Sequence, residues 1–280
     1  MTTFLLTVLQ YAAGAVTVLA LLRVAGVGSP FALADAGIRR MFREPAYRRW
    51  LLLATAVMAF NLIETAFDDR LTARLGTDFT PWLWHCEGAL IAPLQRADWP
   101  PLIGVMTFFY IVVFPMLLVA GVILRAAQSD LRSYRALLLG LVLNYGLVLP
   151  FLLFFPVREA WSGAPGDIFL LIDRLGPAIM RAYRSTSALD NSFPSFHTSL
   201  AATIAFLAWR HGPRPFAWVV SFSSGLIIFA TLYLGIHWAS DVAAGLVVAV
   251  VASVLVCRLT RPREITVPAP EPESVAMRRR

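Results

Sequence analysis

Apolar residues gather into seven long runs, roughly 3–25, 49–67, 101–124, 136–157, 195–210, 215–235 and 238–257, separated by polar segments rich in arginine. A helix needs about 20 mainly apolar residues to cross the hydrocarbon core of a bilayer, so each run predicts a membrane-spanning helix. The fifth run is short and the last two nearly abut. Pro115 and Pro150 fall inside runs and predict kinks, tolerated because neighbouring helices re-satisfy the freed backbone groups. The first run lacks a basic leader and a small-residue cleavage site, so it reads as a retained helix. The pattern predicts an all-α, polytopic membrane helix bundle, with residues 1–262 as one membrane-embedded domain. The proline-rich, charged tail 263–280 lacks large apolar residues and is expected to be disordered.

One segment fits neither class. Residues 68–100 carry apolar and aromatic positions at helical spacing from Pro81 to Leu94, together with His85 and Glu87. It is too short and polar to span, so an amphipathic helix at the membrane interface is expected, with its tryptophans among the headgroups.

Composition agrees: 58% of residues are hydrophobic, 15% are charged, and the mean hydropathy is +0.69, which excludes an ordinary soluble domain. All 24 basic residues are arginine, and 17 of them lie in the segments 23–49, 125–135, 210–214 and 258–280. By the positive-inside rule those segments face the cytoplasm, which puts the N-terminus outside and the C-terminus inside a bacterial-type inner membrane. The arginines cluster between apolar runs and do not line one face with aromatics, so no nucleic-acid partner is expected. Cys86 and Cys257 fall on opposite sides of the bilayer and are not expected to pair.

Chemistry concentrates in two stretches. In "LGIHWASD", His237 and Asp241 stand four residues apart, on one face of a helix. A carboxylate that holds one imidazole nitrogen raises the basicity of the other, as a nucleophilic or general-base histidine requires. In "FPSFH", Pro194 and Ser195 open a helix whose free N–H groups form an anion site, and His197 sits one turn in, placed to protonate a leaving oxygen. The 40 residues between the two histidines correspond to one passage through the membrane and back, so both are expected at one depth, on the extracytoplasmic side. Two histidines, a carboxylate and a helix start point to phosphoryl transfer through a phosphohistidine. Arg158 after the fourth run is the first candidate to clamp the phosphate, followed by Arg181 and Arg184, with Arg174 also on that side. Three other readings compete: a polar pair that joins helices, a proton relay in a transporter, and a zinc site.

"PSFH" followed by "LGIHWASD" resembles the second and third signature blocks of the type 2 phosphatidic acid phosphatase superfamily, over roughly residues 136 to 257. The resemblance implies a six-helix core, no cofactor and no metal, and a membrane lipid or lipid phosphate as substrate. It also implies that His237 is the nucleophile, Asp241 its orienting partner, His197 the acid, and Ser195 a phosphate contact. This chain departs from the lipid-phosphatase pattern in three places: it has no lysine for the first block, Phe196 replaces a glycine, and Thr231 stands where an arginine is expected. The large residue at 196, "YLGIH" and the upstream "NYGLVLPFLLFFPVR" are more similar to the inositol phosphorylceramide synthase branch, whose members move a phospho-headgroup between lipids. The resemblance thus implies a lipid phosphotransferase, with a lipid-phosphate or polyprenyl-phosphate phosphatase as the alternative.

Overall fold

The structure, a computed structural model, describes residues 2–75, 78–163, 166–184 and 192–261. Every regular element among them is helical: α1 Thr2–Val24, α2 Pro30–Arg43, α3 Pro45–Leu75, α4 Thr80–Ile91, α5 Pro100–Phe108, α6 Phe114–Ala127, α7 Leu131–Phe154, α8 Ala160–Gly163, α9 Pro177–Arg184, α10 Phe196–His211, α11 Arg214–Tyr233 and α12 Ala239–Leu259. All seven apolar runs form helices. Among the described residues, five stretches are long and apolar enough to cross a membrane: Thr7–Val24, Pro100–Ala127, Leu131–Phe154, Arg214–Tyr233 and Ala239–Leu259. The other two runs lie in α3, which carries Arg48 and Arg49 near its start, and in α10, whose 16 residues reach only about 24 Å. The molecule is an integral membrane helix bundle.

Two local features differ from the sequence pattern. The basic segment 23–49 is expected to be a connection, yet it contains α2, which begins at Pro30 behind Ser29 and packs on α6 where Gly37 meets the Ile123 carbonyl. Arg40 of α2 donates from Nη1 to the carbonyls of Ala126 and Ala127 at 2.7 and 3.1 Å, which satisfies groups left open at the end of α6. The third run is also not one regular helix. Phe109–Val113 form a π-helical turn between α5 and α6, directly before Pro115, whereas Pro150 lies inside a continuous α7. Such turns occur mostly where a helix must re-aim side chains, frequently at functional sites.

α10, α11 and α12 pack on one another and on α7. α10 and α12 both start at the same end of the bundle, and Gly245 sets their separation: a Cβ there would lie 2.7 Å from the Ser195 carbonyl oxygen and 3.0 Å from Thr198 Cβ. Gly245→Ala is therefore expected to cost about 1–3 kcal/mol through overpacking. Thermal unfolding in detergent measures it, and an unchanged midpoint would show that the two helices can part freely.

Candidate active site

The loop between α11 and α12 delivers the first histidine. Fully buried Thr231, in the place of the expected arginine, accepts the N–H groups of Ile236 and His237 at its carbonyl, both at 3.0 Å. The chain turns through Gly235 at a φ of +79°, which glycine adopts without penalty, and any Cβ there would run into the Phe169 carbonyl. Trp238 has no exposed surface, packs among Leu83, Val157 and Ile168, and donates from Nε1 to the Arg158 carbonyl at 3.0 Å. The position of His237 is thus fixed from both sides.

Asp241, in the first turn of α12, is fully buried. Its Oδ2 accepts the Trp238 N–H at 2.8 Å and the Ser192 hydroxyl at 2.5 Å, and lies 3.2 Å from His237 Nδ1. Ser192 Oγ is itself 3.0 Å from the same Nδ1. With a carboxylate and a hydroxyl oxygen at Nδ1, the ring proton belongs there, and Nε2 keeps a free lone pair. The i,i+4 pairing expected from the sequence is present, and Ser192 joins it.

His197 lies in the first turn of α10, for which Ser195 is the N-cap. The Ser195 hydroxyl oxygen accepts the Thr198 N–H at 3.2 Å, and its own N–H donates to the Asp241 carbonyl at 3.0 Å. The start of α10 is therefore tied directly to the first turn of α12. Pro194 precedes the cap and does not occupy the first turn. The rings of His197 and His237 lie 6.3 Å apart, at one end of the bundle as the residue spacing predicts. Tyr110 stacks on His197 at 4.3 Å and Phe114 leans on it at 4.5 Å, so the π-helical turn and the first residue of α6 furnish the wall behind this histidine.

The candidate cations are placed differently. The main chain of Arg158 is part of the site's frame, with its N–H on Thr80 Oγ1 at 2.9 Å and its carbonyl on Trp238. Its guanidinium, 55% exposed, lies 3.4 Å from Asp78. Arg181 and Arg184 are exposed on α9, and Arg174 pairs with Asp98 at 3.0 Å. Among the described residues, no hydrogen bond or ion pair ties any of these guanidinium groups to the histidines.

Three residues of this region are not singled out by type and spacing. Ser192 is the clearest. Tyr110 is another, and Glu159, 2% exposed, is a third: it accepts the Tyr183 hydroxyl and the Trp161 indole N–H, each at 2.5 Å. Tyr183 lies 6.2 Å from Tyr110, so Glu159 anchors the aromatic layer that continues to His197. Its neighbours Ala160 and Trp161 donate to the carbonyls of Ile236 and Gly235 at 3.1 and 2.9 Å. Glu87, which the sequence marks within segment 68–100, also joins this region. From α4 it accepts the Ser240 N–H at 3.0 Å, a carboxylate placed on the positive end of α12. α4 thus reaches the start of α12 through Glu87, while His85 is exposed.

The helical membrane bundle thus sets a histidine–aspartate pair facing a second histidine at a helix start. The chain belongs to the PAP2 superfamily, whose family model matches residues 82–255, more than half of its length. Membership supports a lipid phosphatase or phosphotransferase type of function, with a lipid phosphate in the membrane as substrate. Neither a search of curated proteins nor one of solved structures finds a match to this chain.

Proposed function

We propose that this protein moves a phospho-headgroup between membrane lipids through a phosphohistidine on His237. The observation that carries the reading is the environment of His237 Nδ1, held by Asp241 and Ser192, with His197 6.3 Å away across the site. Nε2 of His237 attacks phosphorus, forming an N–P bond as the P–O bond to the donor lipid breaks. His197 gives its proton to the departing alkoxide and then takes one from the acceptor hydroxyl, whose oxygen displaces His237. Open N–H groups at the start of α10 receive the phosphate oxygens, together with the Ser195 hydroxyl. Arg158 is the first choice for the countercharge, its guanidinium swinging from Asp78, with Arg181 and Arg184 behind it.

Transfer rather than hydrolysis requires that water be kept from the intermediate. The aromatic wall of Tyr110 and Phe114 at His197 supports transfer, as does the likeness of Phe196 and "YLGIH" to the inositol phosphorylceramide synthase branch. We place the site at the extracytoplasmic face. α6, α10 and α12 end in arginine-bearing turns, and α10 and α12 do so at the end away from the histidines, in keeping with the positive-inside rule.

The test uses purified protein in lipid nanodiscs supplied with phosphatidylinositol or phosphatidic acid, with and without ceramide or diacylglycerol. Acceptor-dependent formation of a new phospholipid, unaffected by a chelator, is the expected result. Free phosphate alone would establish the phosphatase alternative. Ser192→Ala is expected to lower turnover about tenfold, the size of one lost hydrogen bond, while the chain stays folded. Full activity in that variant would remove Ser192 from the account.

A further inference from the structure

At the bundle end away from the histidines, α10 and α12 leave between them a cleft of about 480 Å³. Its walls are apolar and face outward: Phe206, Val250 and Val254 are 42%, 65% and 45% exposed. Arg258 and Arg261 close one end of it. Both are exposed, and among the described residues neither guanidinium has a hydrogen-bond or ion-pair partner. An apolar trough about a dozen residues long on a bilayer-facing surface, ending in two exposed guanidinium groups, matches an acyl chain joined to an anionic headgroup.

We propose that this cleft is a binding site for an intact anionic phospholipid, distinct from the substrate site. One acyl chain lies along Phe206, Leu246 and Val250, and the headgroup phosphate is held by Arg258 and Arg261. α12 runs about 30 Å from Ala239 to Leu259, so this lipid belongs to the leaflet opposite His237. Two observations favour an anionic lipid over a second copy of the chain. The trough is closed by like charges that another copy would bring face to face, and basic pockets between helices at a membrane boundary select anionic headgroups. Arginine matches a phosphate bidentately, which a zwitterionic headgroup masks with its own cation.

The test is native mass spectrometry of the full chain with His237→Ala, so that no lipid turns over, titrated with phosphatidylglycerol or phosphatidylcholine. Phosphatidylglycerol is expected to bind at least tenfold more tightly, and Arg258→Gln with Arg261→Gln to lower its affinity about 10- to 30-fold. A second variant, Val250→Trp, fills the trough on its exposed wall and keeps both arginines. It is expected to weaken the lipid by a comparable factor. Equal binding of the two lipids overturns the proposal, as does full retention of phosphatidylglycerol by the double variant. A loss with the arginine pair but none with Val250→Trp also overturns it, because the charges would then act as a surface patch without the cleft. So does a concentration-dependent dimer that Val250→Trp abolishes.

Discussion

His237→Ala is expected to lower turnover by about 10⁴-fold or more, the scale seen when a covalent nucleophile is removed. Among the described residues, neither of the other two titratable groups is placed to substitute. Asp241 is buried beneath Nδ1, and His197 is backed by Tyr110 and Phe114. The fold should survive, because the loop is also held by the backbone of Thr231 and Gly235 and by the Trp238 indole. Steady-state assay in nanodiscs beside a thermal unfolding curve separates the two effects. Activity within tenfold of the parent would remove His237 from the nucleophile's role.

Asp241→Asn carries the second-largest expected effect, about 10³-fold in kcat with little change in KM. The amide occupies the volume of the carboxylate, so packing is preserved. With its oxygen in the Oδ2 place, however, it carries no charge to hold the Nδ1 proton and puts its NH2 where Asp241 Oδ1 has no partner among the described residues; turned over, it sets that NH2 against His237 Nδ1 and the Trp238 N–H. The imidazole then loses the tautomer that exposes a basic Nε2, the same loss that costs a hydrolytic triad about 10⁴-fold. Asp241→Ala is predicted to be worse in stability as well, since it strands the buried Ser192 hydroxyl and the Trp238 N–H. A kcat unaffected by Asp241→Asn would mean that the carboxylate serves the start of α12 alone.

His197 allows a third prediction with a different signature. If it protonates the leaving alcohol, His197→Ala slows transfer from a lipid donor far more than from an activated ester such as a nitrophenyl phosphate, which needs no acid. Equal losses on both substrates would assign His197 to binding.

What the sequence discloses about this site is local. His237 and Asp241 lie within one helical turn, and Ser195 and His197 share one helix start, so spacing alone places each pair on its own element. That both pairs meet at one end of the bundle follows from the length of the intervening helices. Ser192 escapes the same reasoning because its role exists only once residues 45 and 49 positions apart come together, with the Ser192 N–H pinned to Val157. Glu159 shows no period and no motif. Its meaning depends on Tyr183, Trp161 and Tyr110, which come from three separate segments. The π-helical turn is likewise silent, since "FYIVVF" reads as ordinary apolar helix. α2 was legible in principle: Pro30 behind Ser29, then apolar Phe31, Leu33, Ile38 and Met41 at helical spacing, masked by the arginines that mark its ends.

Charge is where sequence and structure point least alike. The sequence favours Arg158 because it follows the fourth apolar run, and its main chain does brace Trp238, yet its guanidinium rests beside Asp78. A side chain this long takes its partner from whatever carboxylate the fold brings near, which spacing cannot reveal. Arg158→Gln is therefore expected to raise KM about tenfold if the guanidinium swings to the phosphate, and to leave KM unchanged if it remains with Asp78.

The central claim is covalent, and the most direct measurement captures the intermediate. A phosphatidylinositol donor carrying radioactive phosphorus is mixed with enzyme in nanodiscs without acceptor, quenched in alkali, digested and mapped by mass spectrometry. Label on the peptide that contains His237, stable to base, labile to acid, discharged by added acceptor and absent from His237→Ala, is the predicted result. Turnover of the same preparation with no label on that peptide would contradict it.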